Sequence, residues 1–405
     1  MKICLLTPLF HPWNAGGAEN YVNTLAQALA KHHEVIVVTT KGPKAREQNK
    51  SNTNPRVIEI NPINIDSLYS VIQKRSFIWT IKKSLWFILS MWNISTYVQI
   101  KRILDVEKPD LIHTNGLKGF SAFLFSFGKQ LQVPQIHTVH DYELISPWVT
   151  LFRRGKPISR FNILDRIYMG FMRKISGNLD VVISPSQFVM DLHTKLGFFK
   201  NSKHIVVPHG MTLDCNAIPK QNATGEFLFV GRIIKEKGPQ IAVKAFKKIK
   251  NKNVRLHIVG KGPYLESVKQ IADGDQRIIF HGFVQNADLK QIFKRCSYLI
   301  FPSLWYETFG LVINELMNKG FPVIASNIGD IPELVIDGHN GFLFEPGDVD
   351  SLHHIMEDLI NDNETLYKLS MNAIESSKKY ALEEHTKSIL EIYSSILSAQ
   401  KNSLQ

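Results

Sequence analysis

The sequence predicts an α/β protein made of two doubly wound parallel-sheet domains, and three observations predict it. Short runs rich in Val, Ile, Leu and Phe recur along the whole chain without alternating with polar residues, as strands buried on both faces do. Amphipathic helical stretches lie between most of these runs, the order that gives a parallel sheet. The series also occurs twice, broken at 219–225 by the polar, irregular "PKQNATG", which reads as a linker. A length of 405 residues, 44% hydrophobic and 21% charged, suits about two ordinary globular domains.

The first series opens with "KICLLT" (2–7), a helix from near Ala18 carrying Tyr21, Leu25, Ala28 and Leu29 on one face, and "HEVIVVTT" from His33. This is a β-α-β unit. Gly16 and Gly17 stand where its strand gives way to its helix. Two readings are open there: backbone N–H groups approaching an anion, or a tight turn that needs a positive φ. The spacing matches neither the dinucleotide nor the Walker glycine fingerprint. Further strands are expected at 110–116, 134–141, 180–186 and 204–210. The second series runs through "EFLFVG" (226–231), a helix at "QIAVKAFKKI", "VRLHIVG" (254–260), a helix after Pro263, "RIIFHGFV" (277–284), "YLIFPS" (298–303), "PVIAS" (322–326) and "GFLFEPGD" (341–348). In open sheets of this kind, ligands bind beyond the carboxyl ends of the strands, which places the expected active site in a cleft between the domains. The last helix, "EEHTKSILEIYSSILSAQ", is a candidate to cross back to the first domain.

Cys4, Cys215 and Cys296 are scattered and form no metal-ligand pair. Three thiols and no signal-peptide pattern lead us to expect a reduced, cytoplasmic protein. The formal charge of +12 is carried entirely by residues 1–215, which hold 26 Lys and Arg against 14 Asp and Glu; residues 216–405 hold 22 of each. No nucleic-acid-binding motif accompanies this excess, so nucleic acid is not expected as a partner. An anionic membrane surface or lipid-linked substrate fits it. The segment 77–100, "FIWTIKKSLWFILSMWNISTYVQI", is too polar for a span. On a helix it aligns Ile78, Ile81, Leu85, Ile88 and Trp92, with Trp79, Lys82, Lys83 and Trp86 on the neighbouring face. That combination suits the water–lipid interface, and equally a helix docked on its own domain with lysine stems snorkelling.

The loops after the second-half strands carry the chemistry. "FVGRIIKEKG" sets Arg232 just past a strand end and Lys237 five residues on, a planar fork and a mobile point charge able to clamp a diphosphate. "VGKGPY" offers Gly260 and Gly262, where backbone comes close to a ligand. In "FPSLWYETFGLVINELMNKGFPVIAS" Glu307 precedes Phe309-Gly310-Leu311, which open a helix containing Glu315. Amide N–H groups at that helix start can donate to a phosphate, and two carboxylates beside it accept hydrogen bonds from sugar hydroxyls. "DGD" (273–275) and "DVD" (348–350) read as solvated turns, so no metal is expected.

Glu307 and Glu315 reproduce the E-x(7)-E signature of retaining GT-B glycosyltransferases. The ordered set "GGAEN", "HTVHD", "VVPHG", "FVGR…KG", "GKGP", "PSLWYETFG…NE" and "GFLFEPGD" resembles glycosyltransferase family 4 along nearly the whole chain. The resemblance implies two Rossmann-like domains facing across a cleft: 1–212, binding acceptor, with 383–405 packing back on it, and 213–382, binding a UDP- or GDP-linked sugar. It implies that Arg232 and Lys237 bind the donor diphosphate. Thr308, Phe309, Gly310 and Leu311 contact phosphate and sugar, Glu307 the sugar hydroxyls and Glu315 the ribose. His140 lies near the donor sugar, positioning rather than transferring a proton, and Gly16 and Gly17 form a flexible loop meeting donor or acceptor. The implied reaction retains anomeric configuration and needs no cofactor. With the basic first half it points to a saccharide or lipid-linked saccharide acceptor in cell-surface polysaccharide or glycolipid synthesis, with peripheral contact at the inner face of the plasma membrane. Two alternatives share the architecture: a sugar-nucleotide 2-epimerase and a non-catalytic sugar-binding subunit. The chain departs from the family pattern at Leu316 and at Gly329-Asp330, where relatives often carry two glycines, and Asp330 is expected to alter the nucleotide-side loop.

Overall fold

The computed structural model describes residues 1–404 apart from 14–15, 44–53, 74–81, 83–84, 88, 154, 159 and 285. It divides into two compact units. One comprises Met1–Thr150, Arg160–Met211 and Leu382–Gln405; the other comprises Leu151–Ser159 and Thr212–Ala381.

In the first unit β1 (Lys2–Leu6), β2 (Glu34–Thr40), β3 (Arg56–Ile60), β4 (Leu111–Thr114) and β5 (Gln135–Thr138) enter the main sheet. In the chain a two-strand antiparallel hairpin that belongs to the second unit, β6 (Phe152–Arg153) and β7 (Lys156–Pro157), precedes β8 (Val181–Ser184) and β9 (Lys203–Val206) of the first unit's sheet. The main sheet is seven-stranded in the order β3-β2-β1-β4-β5-β8-β9, parallel throughout. The second unit builds a six-stranded parallel sheet from β10 (Glu226–Val230), β11 (Arg255–Val259), β12 (Ile278–Gly282), β13 (Tyr298–Phe301), β14 (Val323–Ser326) and β15 (Gly341–Phe344). Its order is β12-β11-β10-β13-β14-β15.

The unbroken apolar runs have a direct cause in this layering. In β10, Phe227 and Phe229 enter the core on one face of the sheet and Leu228 the core on the other. Helices cover both faces, so neither set of side chains meets water. Each such side chain contributes about 1.5–3 kcal/mol when fully buried. In each sheet the strand order reverses once, between β1 and β4 and between β10 and β13. At these switch points adjacent connections leave in opposite directions and open a crevice at the carboxyl ends of the strands.

The helix Leu382–Leu404 belongs to the first unit. Ile389, Ile392 and Tyr393 join that unit's core, and hydrogen bonds help hold the helix, among them Tyr21 Oη to His385 Nε2 at 2.9 Å and Tyr393 Oη to His113 Nδ1 at 2.6 Å.

Two expectations change. The stretch 77–100 is not one helix: Asn93 stops it, accepting the Thr96 amide on its side chain and capping a new helix, Ile94–Glu107. Trp86 faces inward, 3% exposed, with its indole N–H donating to Asp66 O at 2.7 Å, whereas Leu85, Leu89 and Trp92 are exposed. Ile78, Trp79, Ile81, Lys83 and Ile88 lie outside the described residues. Gly16 is extended, at φ −165°, so no left-handed turn explains that glycine.

Candidate functional site

The chemistry gathers at the switch point of the second sheet. After β10 the chain passes Gly231 and Arg232, makes one short turn over Lys235–Lys237 and enters the helix Pro239–Lys248 through Gly238 at φ +70°. A Cβ on Gly238 would stand 1.8 Å from Pro302 O, in the loop after β13. Leu304 N donates to Glu236 O at 2.7 Å across the same seam. The loops after the two central strands are therefore locked together. Gly260 and Gly262 allow the same close packing: a Cβ on them would lie 1.9 Å from Gly231 O and 2.1 Å from Ile233 O.

That seam brings Lys237 to Glu307. The ammonium is 2.7 Å from both carboxylate oxygens. Ser303 Oγ and Trp305 Nε1 each donate to Oε1 at 2.7 Å, and Glu307 is 5% exposed. The Lys237 ammonium also lies 5.5 Å from the centroids of the Phe301 and Trp305 rings. Sequence reasoning did not assign Ser303 or Trp305; their signal was proximity in "PSLWYE", four and two residues before the acid.

The other predicted residues are placed as follows. Arg232 is exposed and makes no ion pair among the described residues. Thr308 is half-buried, and Phe309 is buried edge-on against Tyr380, 5.6 Å between centroids. Gly310 precedes the helix Leu311–Met317. Glu315 reaches solvent from that helix, yet the protein crowded around it desolvates its carboxyl and holds it above the usual range.

Asp330 has an unexpected setting. It is fully buried, and neither carboxyl oxygen has a side-chain hydrogen-bond partner among the described residues. Burial, then the charges of Glu307 and Glu333, push its carboxyl well above the usual range; Lys237 pulls the other way. Gly329, at φ +65°, packs its backbone against Tyr306 and Glu307. The aspartate thus stands behind the acid of the site rather than on an exposed loop.

In the first unit, His140 follows β5. Its Nε2 is 3.0 Å from Asn115 Oδ1 and its Nδ1 is 3.2 Å from His209 Nε2. An amide oxygen can only accept, so Nε2 carries the proton and Nδ1 accepts from His209. Burial pushes the imidazole down to about 3, keeping it neutral at pH 7. Tyr21 stacks on His209 at 4.0 Å and donates to His385, whose Nδ1 donates to Pro208 O at 2.7 Å. Asn115, His209 and His385 had no assigned role in the sequence reading. Gly16 and Gly17 are exposed at the start of their helix.

Comparison with known proteins agrees with this architecture. The model for Glycosyltransferase Family 4 matches residues 15–214, and that for Glycosyl transferases group 1 matches 215–379. The chain belongs to this family of GT-B glycosyltransferases and is a transferase enzyme. Among its relatives is an uncharacterised 42.6 kDa protein of the cps region of Klebsiella pneumoniae, 28% identical over 90% of this chain and 95% of that protein. Another is the alpha-monoglucosyldiacylglycerol synthase of Acholeplasma laidlawii, 24% identical over 100% and 99%. Among solved structures, HepE of Anabaena in complex with UDP superimposes with a TM-score of 0.73 at 20% identity, covering 98% of this chain and 100% of that one.

Proposed function

We propose that this chain is a retaining transferase that moves a sugar from a UDP- or GDP-linked donor to a saccharide or lipid-linked saccharide, in cell-surface polysaccharide or glycolipid synthesis. The observation that carries the reading is the Lys237–Glu307 pair, gripped by Ser303 and Trp305 at the switch point of the second sheet. When a donor binds, the Lys237 ammonium turns from Glu307 to the diphosphate. Arg232, five residues earlier in the chain and without an ion pair among the described residues, joins it, with amides around Gly310. Glu307 then accepts from sugar hydroxyls, and Glu315 from the ribose. As the anomeric C–O bond breaks, the leaving oxygen gains negative charge, which these groups stabilise; one such donor is worth about 3–4 kcal/mol. The acceptor oxygen bonds to the anomeric carbon on the face the phosphate leaves, and its proton passes to a phosphate oxygen. No separate base is needed. His140, with both ring nitrogens engaged, positions donor or acceptor, and Gly16 and Gly17 line the approach.

The glucolipid synthase among the relatives, the cps-region protein and the UDP-bound neighbour all support this substrate class. The decisive experiment incubates purified protein with a panel of nucleotide sugars and candidate acceptors, following nucleotide release and product mass. Acceptor-dependent release is expected, reduced about 100-fold or more by Glu307→Gln. Interconversion of donor sugars would make the protein an epimerase; binding without turnover would make it a non-catalytic subunit.

The acceptor reading extends to an anionic lipid surface. Beside exposed Leu85, Leu89 and Trp92 runs the helix Ile163–Ser176, Trp92 packing on Phe171 at 4.5 Å. That helix exposes Ile163, Leu164 and Ile167 around Arg166, on the half of the chain that holds all the excess positive charge. No helix among the described residues is long and apolar enough to cross a membrane. Flotation with anionic vesicles should be lost in an Ile163/Ile167→Ser variant; equal flotation of both proteins refutes the surface.

A further inference from the structure

We propose that Glu226, His257 and Cys296 form a zinc-binding site in the second unit, at the opposite end of the central strands from the Lys237–Glu307 pair. Glu226 opens β10, His257 lies in the middle of β11 and Cys296 stands two residues before β13. Alternation along the strands turns all three toward the same face of the sheet. Leu228 and Val259, each two residues from one of them, pack in the core that also holds Cys296. His257 is 2% exposed and Cys296 1%.

A carboxylate oxygen, an imidazole nitrogen and a thiol sulfur thus converge, every pair of ligand atoms within 4.8 Å. Glu226 Oε2 is already 2.8 Å from His257 Nε2. The other ring nitrogen, Nδ1, is 2.9 Å from His281 Nε2, with the two rings parallel within 9° and 5.1 Å apart. A carboxylate only accepts, so without metal Nε2 carries the proton and Nδ1 accepts from His281. Metal binding takes the other tautomers: the proton moves from His257 Nε2 to Nδ1 and from His281 Nε2 to its Nδ1, so that Nε2 gives its lone pair to the metal while Nδ1–H donates to His281 and fixes the ring. Among the described residues the thiol, by contrast, makes a single weak contact, 4.0 Å to Phe227 O.

The donor set selects the ion. One carboxylate cannot hold calcium or magnesium, whereas a thiolate, an imidazole and a carboxylate suit zinc, with water in a fourth position. Glu226, with 24% of its side chain exposed, leaves that position open to solvent. Binding exchanges the S–H and N–H···O contacts for metal bonds and releases the thiol proton. The two ligand charges then neutralise the dication. Arg255, Arg295 and Lys220 stand close by; Lys220 donates to Cys296 O at 2.8 Å. Their charge disfavours an ion that the ligands do not fully neutralise. The metal would pin the starts of β10 and β13 to β11, a structural role separate from sugar transfer.

The test uses the full chain in reduced form, with the exposed Cys215 replaced by Ser. Cobalt(II) titration should give a thiolate-to-cobalt charge-transfer band that saturates at one equivalent and is bleached by zinc. Zinc should also raise the melting temperature. The band should vanish in Cys296→Ala, whose folding is checked by circular dichroism. His281→Ala should keep the band with about 10- to 100-fold weaker binding, as expected for a residue that only orients a ligand. Glu226→Gln, at a partly exposed position that tolerates change, should weaken zinc binding at least about tenfold. Absence of the band, its survival in Cys296→Ala, or unchanged affinity in Glu226→Gln overturns the proposal. None of these readouts depends on turnover of a nucleotide sugar.

Discussion

Replacing Lys237 by Met removes the ammonium 2.7 Å from both oxygens of Glu307 and keeps most of its apolar stem. The carboxylate left behind is 5% exposed and retains Ser303 and Trp305 as donors. Breaking one side of a sealed ion pair costs about 3–5 kcal/mol. Here 23% of the lysine side chain meets solvent, so water can enter the gap, and the expected cost falls to about 2–3 kcal/mol. Glu307→Gln is less damaging. Its amide oxygen still accepts from Ser303 and Trp305, and the ammonium can turn to water, for a cost of about 1 kcal/mol. The double variant leaves no buried unpaired charge and should lose about 1–2 kcal/mol, less than the sum of the singles. Calorimetric melting of the four proteins measures the cycle. Lys237→Met should melt roughly 5–10 °C below the parent and the double variant between them. A Lys237→Met protein melting with the parent, or a double variant losing the full sum, would show that the pair contributes nothing to the fold.

Two predictions concern pH. Asp330 holds its proton in the folded chain well above the usual carboxylate range, so the folded state binds more protons than the unfolded state above about pH 4. Stability associated with it is complete below that pH and is lost as pH rises through the folded value. Asp330→Asn, which has no such charge to bury, should therefore gain melting temperature over the parent as pH rises; a constant difference across pH 4–9 sinks the assignment. The histidines of the first unit run the other way. Burial pushes His113, His137 and His140 down to about 3 and His193 and His385 to about 4. Their contribution is intact above about pH 6.5 and is lost as pH falls toward those values. At pH 5 each independent group costs about 2 kcal/mol, and coupled neighbours less than their sum. Urea unfolding should show the first unit weakening by several kcal/mol between pH 7 and pH 5; equal midpoints would contradict the buried, neutral assignment.

The sequence by itself determined the two parallel sheets, and it singled out the loops after the second-sheet strands and Glu307 as candidates. These are local properties. A run buried on both faces loses its polar alternation, and the loop after a strand stands beside it in the chain, so both can be read in one dimension. Which atoms meet was decided by the fold. Lys237 and Glu307 lie 70 residues apart and touch because β10 and β13 are neighbours in the sheet. That adjacency depends on strand order, which no local pattern encodes. The same cause explains Gly260 and Gly262, whose bare backbones face another loop, and Trp86, whose position beside lysines resembled an interfacial anchor until packing turned it inward. It also explains the gathering of Glu226, His257 and Cys296: their spacing in the chain carries no ligand signature, and only the parallel register of three strands brings carboxylate, imidazole and thiol to one corner.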